Sequence, residues 1–341
     1  MSGRIQLCNV VRHSWNELRR RQVMNRPILF KLHSLQHLAR IGLFALLVGL
    51  MMVLSQPLSI LAASDPVIVA AGDIACDPTK SNFNGGNGTK NACHEKATAD
   101  LIGSLNPNAV LPLGDTQYTA ATLSQYSKSY NPTWGVFKNI TFPIPGNHEY
   151  LTKNAADYYT YFGAAAHDPK KGYYSYNIGA WHLIAMNAEC GNIGGCGSGS
   201  LEETWLKNDL AANTKPCILA YWHEPRFSSA SAGNTGRVKV FWQDLYQAHA
   251  DLVLNGHAHV YERFDLQSPS QKADAKGIRE IVVGTGGDSH GSWSKIQPNS
   301  QARDNTAFGV LKLTLHSSSY SWQFVAEPGK NFTDSGTQAC H

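Results

Sequence analysis

From Pro66 onward, short apolar runs rich in Val and Ile alternate with segments that have the periodicity of amphipathic helices. Apolar runs of this length, each followed by polar loop residues, are typical of strands that are buried on both faces. Six such strands are predicted, at PVIVAAGD (66–73), AVLPLGD (109–115), FPIPGNHE (142–149), CILAYWHEP (217–225), DLVLNGHAH (251–259) and REIVVGTGGD (279–288).

Helices are predicted in three segments between these runs, at residues 94–105, 200–213 and 238–250. Ser200 and Glu203 form the sequence signature of a capping box at the start of the second helix. Two further segments predict antiparallel hairpins, at residues 173–188 and 308–326. Helices combined with strands of both directions predict one α/β domain.

The first 63 residues differ in charge from the rest of the 341-residue chain. They hold eight of its 29 Lys and Arg residues but only one of its 25 acidic residues, Glu17. The remainder therefore carries 21 basic and 24 acidic residues, close to neutral. The bulk charge gives no reason to expect a nucleic-acid partner.

A run of fourteen uncharged residues, 41–54, follows the basic segment, and the small residues Ala62 and Ala63 come shortly after it. A basic stretch, an apolar stretch and a small-residue site are typical of an export signal. The alternative is an uncleaved membrane anchor over residues 41–63. Either way, we expect an exported protein with a leader at 1–63, a folded domain at 64–328 and a C-terminal tail at 329–341.

Cysteine usage agrees with export, because six cysteines lie outside the leader and an even number suits an oxidising compartment. Proximity along the chain favours pairing Cys76 with Cys93 and Cys190 with Cys196. Cys217 and Cys340 would then tie the tail to a core strand. Buried free thiols are the alternative, whereas a zinc knuckle is disfavoured because the chain contains no CxxC pair.

Oxygen and imidazole side chains follow the predicted strands, where the loops of an α/β sheet can converge on one crevice. They are Asp73, Asp115, Tyr118, Asn147, His148, His223, His257 and His259. Singly, each could be a helix cap, a turn residue or a packed histidine. Together they form a donor set without thiolates, which suits Fe, Mn or Zn. Two metals about 3.5–4 Å apart, sharing one carboxylate, form a clamp for displacement at phosphorus, and Asp115 is best placed to bridge.

Five motifs in order resemble those of the calcineurin-like metallophosphoesterase superfamily, most closely of single-domain purple acid phosphatases. They are GDIA (72–75), GDTQY (114–118), GNHE (146–149), AYWH (220–223) and GHAHVYER (256–263), with GTGG at 284–287. The resemblance covers most of residues 66–325. It implies a four-layer α/β/β/α sandwich of two mixed β-sheets flanked by helices, with its catalytic domain at 64–328.

The resemblance also implies which residues bind two metal ions. The first ion takes Asp73, Asp115, Tyr118 and His259, and the second takes Asp115, Asn147, His223 and His257. Most of the superfamily has a histidine where this chain has Ala75. A tyrosinate from Tyr118 would complete that site and favour Fe(III), with Fe, Zn or Mn in the second site.

The implied function is hydrolysis of small phosphate monoesters by a metal-bound hydroxide, with His148 assisting the leaving group. A phosphodiesterase or nucleotide hydrolase on the same fold is the alternative enzyme. A non-catalytic exported module that binds metal or a partner protein is the alternative of another class. Glu149 and Glu224 are candidates for orienting imidazole ligands. Arg263 could clamp phosphate or form a structural ion pair.

Overall fold

The computed structural model of the protein describes residues 40, 43–46 and 64–341. In the part of the chain so described, no helix is long and apolar enough to cross a lipid bilayer. The predicted export signal or anchor at residues 41–63 falls almost entirely outside the described residues. The fold below is that of residues 64–341.

Within this range the strands form two mixed sheets, as predicted. The first sheet consists of β1 (Val67–Ala71), β2 (Ala109–Pro112), β10 (Gly309–Leu315), β11 (Ser319–Ala326) and β12 (Ser335–Ala339). Their order is β12-β11-β10-β1-β2. β1 runs parallel to β2 and antiparallel to β10, so the ends of β1 and β2 lie at the same edge.

The second sheet contains the remaining strands of the described range. They are β3 (Tyr174–Ile178), β4 (Trp181–Ala185), β5 (Cys217–Tyr221), β6 (Leu252–Asn255), β7 (Tyr261–Phe264), β8 (Arg279–Val283) and β9 (Ser300–Asp304), in the order β3-β4-β5-β6-β8-β7-β9. β4, β5, β6 and β8 are mutually parallel neighbours. The loops that follow them therefore emerge at one edge.

The helices are α1 (Glu95–Leu105), α2 (Leu123–Lys128), α3 (Ala156–Phe162), α4 (Leu201–Ala212) and α5 (Lys239–Gln247). α1, α4 and α5 confirm the three predicted helices. Short 3-10 turns lie at Ser81–Gly86, Trp134–Ile140, Glu149–Leu151, Lys153–Ala155 and Gly163–Ala166. One continuous apolar core includes residues from both sheets and from the helices.

The prediction of a strand at residues 142–149 is wrong. The segment contains one isolated bridge, Ile144 with Leu113, and another lies just before it, Thr141 with Val110. Pro143 and Pro145 of this segment have no backbone N–H to donate to a neighbouring strand. The segment is a loop beside the end of β2.

The start of α4 and the C-terminal segment also differ from the predictions. Ser200 Oγ accepts from the backbone N–H of Glu203 at 3.2 Å, but the Glu203 carboxylate accepts from Gly199 N–H at 3.0 Å, not from Ser200. The capping box is therefore only half formed. The segment 329–341, expected to be a tail, contains β12, which pairs with β11 along Ser335–Ala339.

Three disulfides confirm the predicted pairings, Cys76–Cys93, Cys190–Cys196 and Cys217–Cys340. Cys217 begins β5 and Cys340 follows β12, so this bond links the two sheets. It closes the longest of the three loops, because its cysteines are 123 positions apart.

Candidate metal centre

Three candidate ligands have a left-handed backbone, with φ of 59° at Asp73, 45° at Asp115 and 67° at His257. Residues other than glycine adopt this conformation rarely, at a cost of about 1–3 kcal/mol each. Each of the three follows the end of a strand, β1, β2 or β6. Ten other non-glycine residues of the described range also have a positive φ, so what distinguishes these three is their place, where loops from the two sheets meet.

The first cluster of donor atoms surrounds the Tyr118 hydroxyl. Its oxygen lies 2.9 Å from Asp73 Oδ1, 3.1 Å from Asp115 Oδ2 and 3.0 Å from His259 Nε2. His259 Nε2 is also 3.2 Å from Asp73 Oδ1. The four side chains thus point oxygen or nitrogen atoms at one small volume.

The second cluster adjoins the first through Asp115. His223 Nε2 lies 3.2 Å from Asp115 Oδ2 and 3.3 Å from His257 Nδ1. His257 Nδ1 is in turn 3.0 Å from Asn147 Oδ1. Asp115 Oδ2 is therefore within 3.2 Å of donor atoms in both clusters, which is the arrangement that a bridging carboxylate requires.

These residues fit two metal ions on the chemistry of their donors. Asp73 and Asp115 are 0% and 2% exposed, and within the described range their ion-pair partners are histidines, with no Lys or Arg. Burial, Asp115 and Asp73 raise the pKa of Tyr118 well above its usual value, so the phenol keeps its proton without a cation. Cations would compensate the buried carboxylates and permit a phenolate.

The histidines differ in their readiness to bind a metal. Burial lowers the pKa of His259, but the Asp73 carboxylate more than offsets this effect and raises it to about 9. Burial and the charge of His223 lower the pKa of His257 to about 4. In the metal-free protein at neutral pH, His259 is therefore protonated and His257 is neutral. A metal ion held by His259 would take the place of that proton.

The sequence model of the family described as calcineurin-like phosphoesterase matches residues 62–261. The chain belongs to this family. Purple acid phosphatase 15 of Arabidopsis thaliana is 29% identical over 230 residues, 56% of this chain and 42% of that protein. Probable purple acid phosphatase 20 of the same plant is 27% identical over 229 residues, 58% of this chain and 52% of that protein. The chain spans about half the length of the curated relatives it matches.

The fold is similar to that of the purple acid phosphatase PPD1 from seeds of yellow lupin, Lupinus luteus. The TM-score is 0.68 at 18% sequence identity, and the similarity covers 81% of this chain and 54% of that one. The two mixed sheets with flanking helices are thus those of the metallophosphoesterase fold, as predicted.

In this calcineurin-like phosphoesterase, His148 lies beside the clusters without joining either of them. Its backbone N–H donates to Asp115 Oδ1 at 2.8 Å, and its ring Nδ1 contacts the Thr119 carbonyl oxygen at 2.5 Å. A carbonyl can only accept, so Nδ1 carries the hydrogen. Nε2 lies 3.9 Å from Asp115 Oδ2, on a side chain that is 25% exposed. It is the atom left free to exchange a proton.

Glu149 braces two loops beside these clusters, and it contacts their backbones instead of an imidazole. Its Oε2 accepts the N–H groups of Asp115 at 2.9 Å and Gly146 at 2.7 Å. Its Oε1 accepts the N–H of Thr116 at 2.8 Å and the hydroxyl at 2.9 Å. One buried carboxylate thereby joins the GDTQY loop to the GNHE loop.

Two other charged candidates also have structural partners. Glu224 pairs with Arg237 at 2.9 Å. Arg263 forms a bidentate pair with Asp334, at 2.7 and 3.0 Å, which favours the structural ion pair over the phosphate clamp. The neighbouring aromatic residues Tyr221, Trp222 and Tyr261 are fully buried and belong to the core.

Sequence reasoning missed Asp288 and Ser289, which lie directly after GTGG at the end of β8. Asp288 Oδ2 is 3.8 Å from His259 Nδ1, and Ser289 Oγ is 3.0 Å from the same nitrogen. The signal was available, because an acidic residue after a buried strand is the criterion that identified Asp73 and Asp115.

Proposed function

We propose that this protein is an exported phosphatase that hydrolyses small phosphate monoesters at a binuclear metal centre. The observation that carries the proposal is Asp115 Oδ2, which lies 3.1 Å from Tyr118 Oη and 3.2 Å from His223 Nε2. One carboxylate oxygen shared between two clusters of ligand atoms is suited to a pair of adjacent ions. Membership of the phosphoesterase family supports the reaction class.

Each cluster holds one ion in this proposal. Asp73, Asp115, Tyr118 and His259 bind Fe(III), because phenolate and carboxylate are hard anionic donors. Asp115, Asn147, His223 and His257 bind Fe, Zn or Mn. Bound ions supply Lewis-acid polarisation of the phosphoryl group and acidification of water.

His148 acts on the leaving group in the proposed reaction. The contact between Nδ1 and the Thr119 carbonyl oxygen fixes the ring and its tautomer. Nε2 then carries the exchangeable proton and can donate it to the departing alkoxide oxygen. The His148 backbone N–H donates to Asp115 Oδ1 at 2.8 Å, and this bond holds His148 beside the shared carboxylate.

Residues 1–63 form the leader in this proposal, and the catalytic unit begins at residue 64. The three disulfides support an oxidising compartment. Attachment to a membrane would occur only through residues 41–63, if they are not removed. No nucleic-acid partner is proposed.

The test is the visible spectrum of the protein purified without chelator, together with its metal content. A tyrosinate bound to Fe(III) gives a charge-transfer band, so wild type should be pink to purple. Tyr118→Phe should lose the band. Tyr130→Phe is the matched control, because the Tyr130 hydroxyl is also buried but has no hydrogen-bond partner.

The activity is tested separately on simple phosphate monoesters. Asp115→Ala should lose both metal retention and turnover. Near wild-type turnover in Asp115→Ala would refute the site. A colourless wild type with two other metals and full turnover would refute only the Fe(III)–phenolate assignment.

A further inference from the structure

Asp288 and Ser289 contact the His259 ring on the side opposite the first cluster. Whereas His259 Nε2 faces Tyr118 and Asp73, its Nδ1 lies 3.0 Å from Ser289 Oγ and 3.2 Å from the Ser289 carbonyl oxygen. Ser289 Oγ donates to Asp288 Oδ2 at 2.8 Å, and that oxygen is 3.8 Å from Nδ1. Imidazole, hydroxyl and carboxylate thus form a connected chain that leads away from the centre.

Asp288 is held in place from several directions. Its backbone N–H donates to the Asp73 carbonyl oxygen at 3.0 Å, and its own carbonyl accepts the Cys93 N–H at 3.0 Å. Its Oδ1 lies 3.3 Å from Cys76 Sγ, and because that sulfur belongs to the Cys76–Cys93 disulfide it has no proton to donate. The carboxylate is therefore anchored to the loop that carries the ligand Asp73.

The other cluster is built differently. His223 Nδ1 is bonded to the backbone carbonyl of Leu113 at 2.7 Å, an uncharged partner. Behind His259 Nδ1, by contrast, a carboxylate lies one hydroxyl away, through Ser289 Oγ to Asp288, and partners of this kind orient a ligand imidazole and raise its basicity. The asymmetry points to an effect on one of the two ions.

We infer that Asp288 and Ser289 are positioning residues that hold His259 with Nε2 toward the first ion and strengthen its binding of that ion. The inference rests on the proposed binuclear centre. Asp288 contributes in two separable ways. It accepts a hydrogen bond from Ser289, and its carboxylate adds to the negative surroundings formed by Asp73 and Asp115.

The test measures metal affinity by competition with a chelator, using Zn²⁺ or Mn²⁺ and the full chain. Loss of the Tyr118 proton changes its ultraviolet absorption, so the difference spectrum reports the first ion. Tyr118→Phe identifies that signal. The second ion is then the difference between the total bound metal and the first ion.

Three variants separate the contributions. Asp288→Asn keeps an acceptor for Ser289 but removes the charge, Asp288→Ala removes both, and Ser289→Ala breaks the chain. The control is Asp209→Asn. Asp209 has the same type of partners, accepting from Ser175 Oγ at 2.6 Å and contacting His182 Nε2 at 2.7 Å. Its side chain is 17% exposed, close to the 19% of Asp288, but none of these partners is a candidate metal ligand.

Asp288→Ala should lower the affinity for the first ion by about 10–100-fold, as removal of such partners typically does. Binding of the first ion by Asp288→Asn and Ser289→Ala should fall between that of Asp288→Ala and that of wild type, with the second ion weakened less than the first and Asp209→Asn unchanged. Wild-type affinity for the first ion in all three variants would overturn the inference and leave the binuclear centre standing. Equal weakening of both ions would also overturn it. A wild type that binds no metal would overturn the centre itself, and the inference with it.

Discussion

Replacing Glu149 with Gln removes half of the acceptors that join two loops of the centre. Glu149 is fully buried, and its two oxygens accept three backbone N–H groups, the Thr116 hydroxyl and, at 3.3 Å, the Tyr126 hydroxyl. Glutamine offers one oxygen and one NH₂ group. In one orientation the NH₂ group faces the N–H groups of Asp115 and Gly146, and both lose their acceptor. In the other orientation it faces Thr116, whose hydroxyl can rotate to another acceptor but whose N–H cannot.

The better arrangement still leaves at least one buried N–H without an acceptor, at a cost of about 1–3 kcal/mol. The remaining bonds lose their charge assistance, which is worth about 1 kcal/mol each. We therefore expect Glu149→Gln to lower the free energy of unfolding by about 3 kcal/mol or more. That is a large part of the total of about 5–15 kcal/mol for a typical protein.

The assay is urea unfolding of the metal-free protein with its disulfides intact, because bound ions would add their own stabilisation. Burial and the Asp115 charge raise the pKa of Glu149, so the pH should be kept above neutral. Glu202→Gln is the matched control. Glu202 is also buried, but it accepts one N–H, from Asn187 at 2.7 Å, and its Oε2 has no partner.

Glutamine at position 202 still accepts the Asn187 N–H, and its NH₂ group takes the place of an oxygen that already lacks a partner, so no backbone N–H loses its acceptor. This variant should therefore lose clearly less stability than Glu149→Gln. A difference of less than about 0.5 kcal/mol between the free energies of unfolding of the two variants would mean that the N–H groups bonded to Glu149 contribute little to stability.

Three further predictions concern pH, packing and covalent structure. The pKa of His259 is about 9 in the fold against an ordinary 6.5, so the protonated ring stabilises the metal-free fold, and this stabilisation is complete below pH 6.5. As pH rises through about 9 this stabilisation is lost, and the free energy of unfolding measured in urea should fall by up to about 3 kcal/mol. Gly146→Ala should lose bound metal by elemental analysis, because a Cβ there would lie 2.6 Å from the Asp115 nitrogen. Removing Cys217–Cys340 with serines should lower the free energy of unfolding by up to about 5 kcal/mol, given its separation of 123 residues.

Each of these has a control and an outcome that contradicts it. His259→Gln should flatten the pH slope, and an equally steep slope in that variant would assign the effect to other groups. Gly197→Ala has open space around the added Cβ, so metal loss in both alanine variants would contradict the packing argument. The Cys190–Cys196 bond spans only six residues. A larger loss from its removal would contradict the loop-closure reasoning.

The sequence predicted the elements whose pattern is local. Runs such as VIVAA in β1 and CILAY in β5 are apolar throughout and became buried strands. β12 has the sequence SGTQA, with no apolar alternation, and it forms because β11 offers it a partner. Its neighbourhood also holds Asp334, the partner of Arg263 from 71 positions away. Pairings of this kind are decided by the tertiary fold and leave no local signal.

The candidate site divides in the same way, into residues with a local sequence signal and residues whose roles depend on the tertiary fold. Most of the candidate ligands follow strands and were visible for that reason, since carboxyl ends of parallel strands share an edge, whereas Asn147 and His148 lie in a loop without a strand before it. The function of Glu149 was not, because three of its partners are backbone N–H groups, which every sequence contains. The backbone turns at Asp73 and Asp115 were likewise hidden, because left-handed conformation at aspartate is set by surrounding contacts.

The single oxygen shared by the two clusters has a thermodynamic consequence. Asp115 Oδ2 lies against Tyr118 in one cluster and His223 in the other, so two ions held there could not have independent affinities. An ion in one cluster fixes and polarises the carboxylate that the other ion must use. By linkage, the factor by which the first ion changes the binding of the second equals the factor by which the second changes the binding of the first. Occupation of one cluster would therefore change the affinity of the other by a finite factor, with Asp115 as the physical connection.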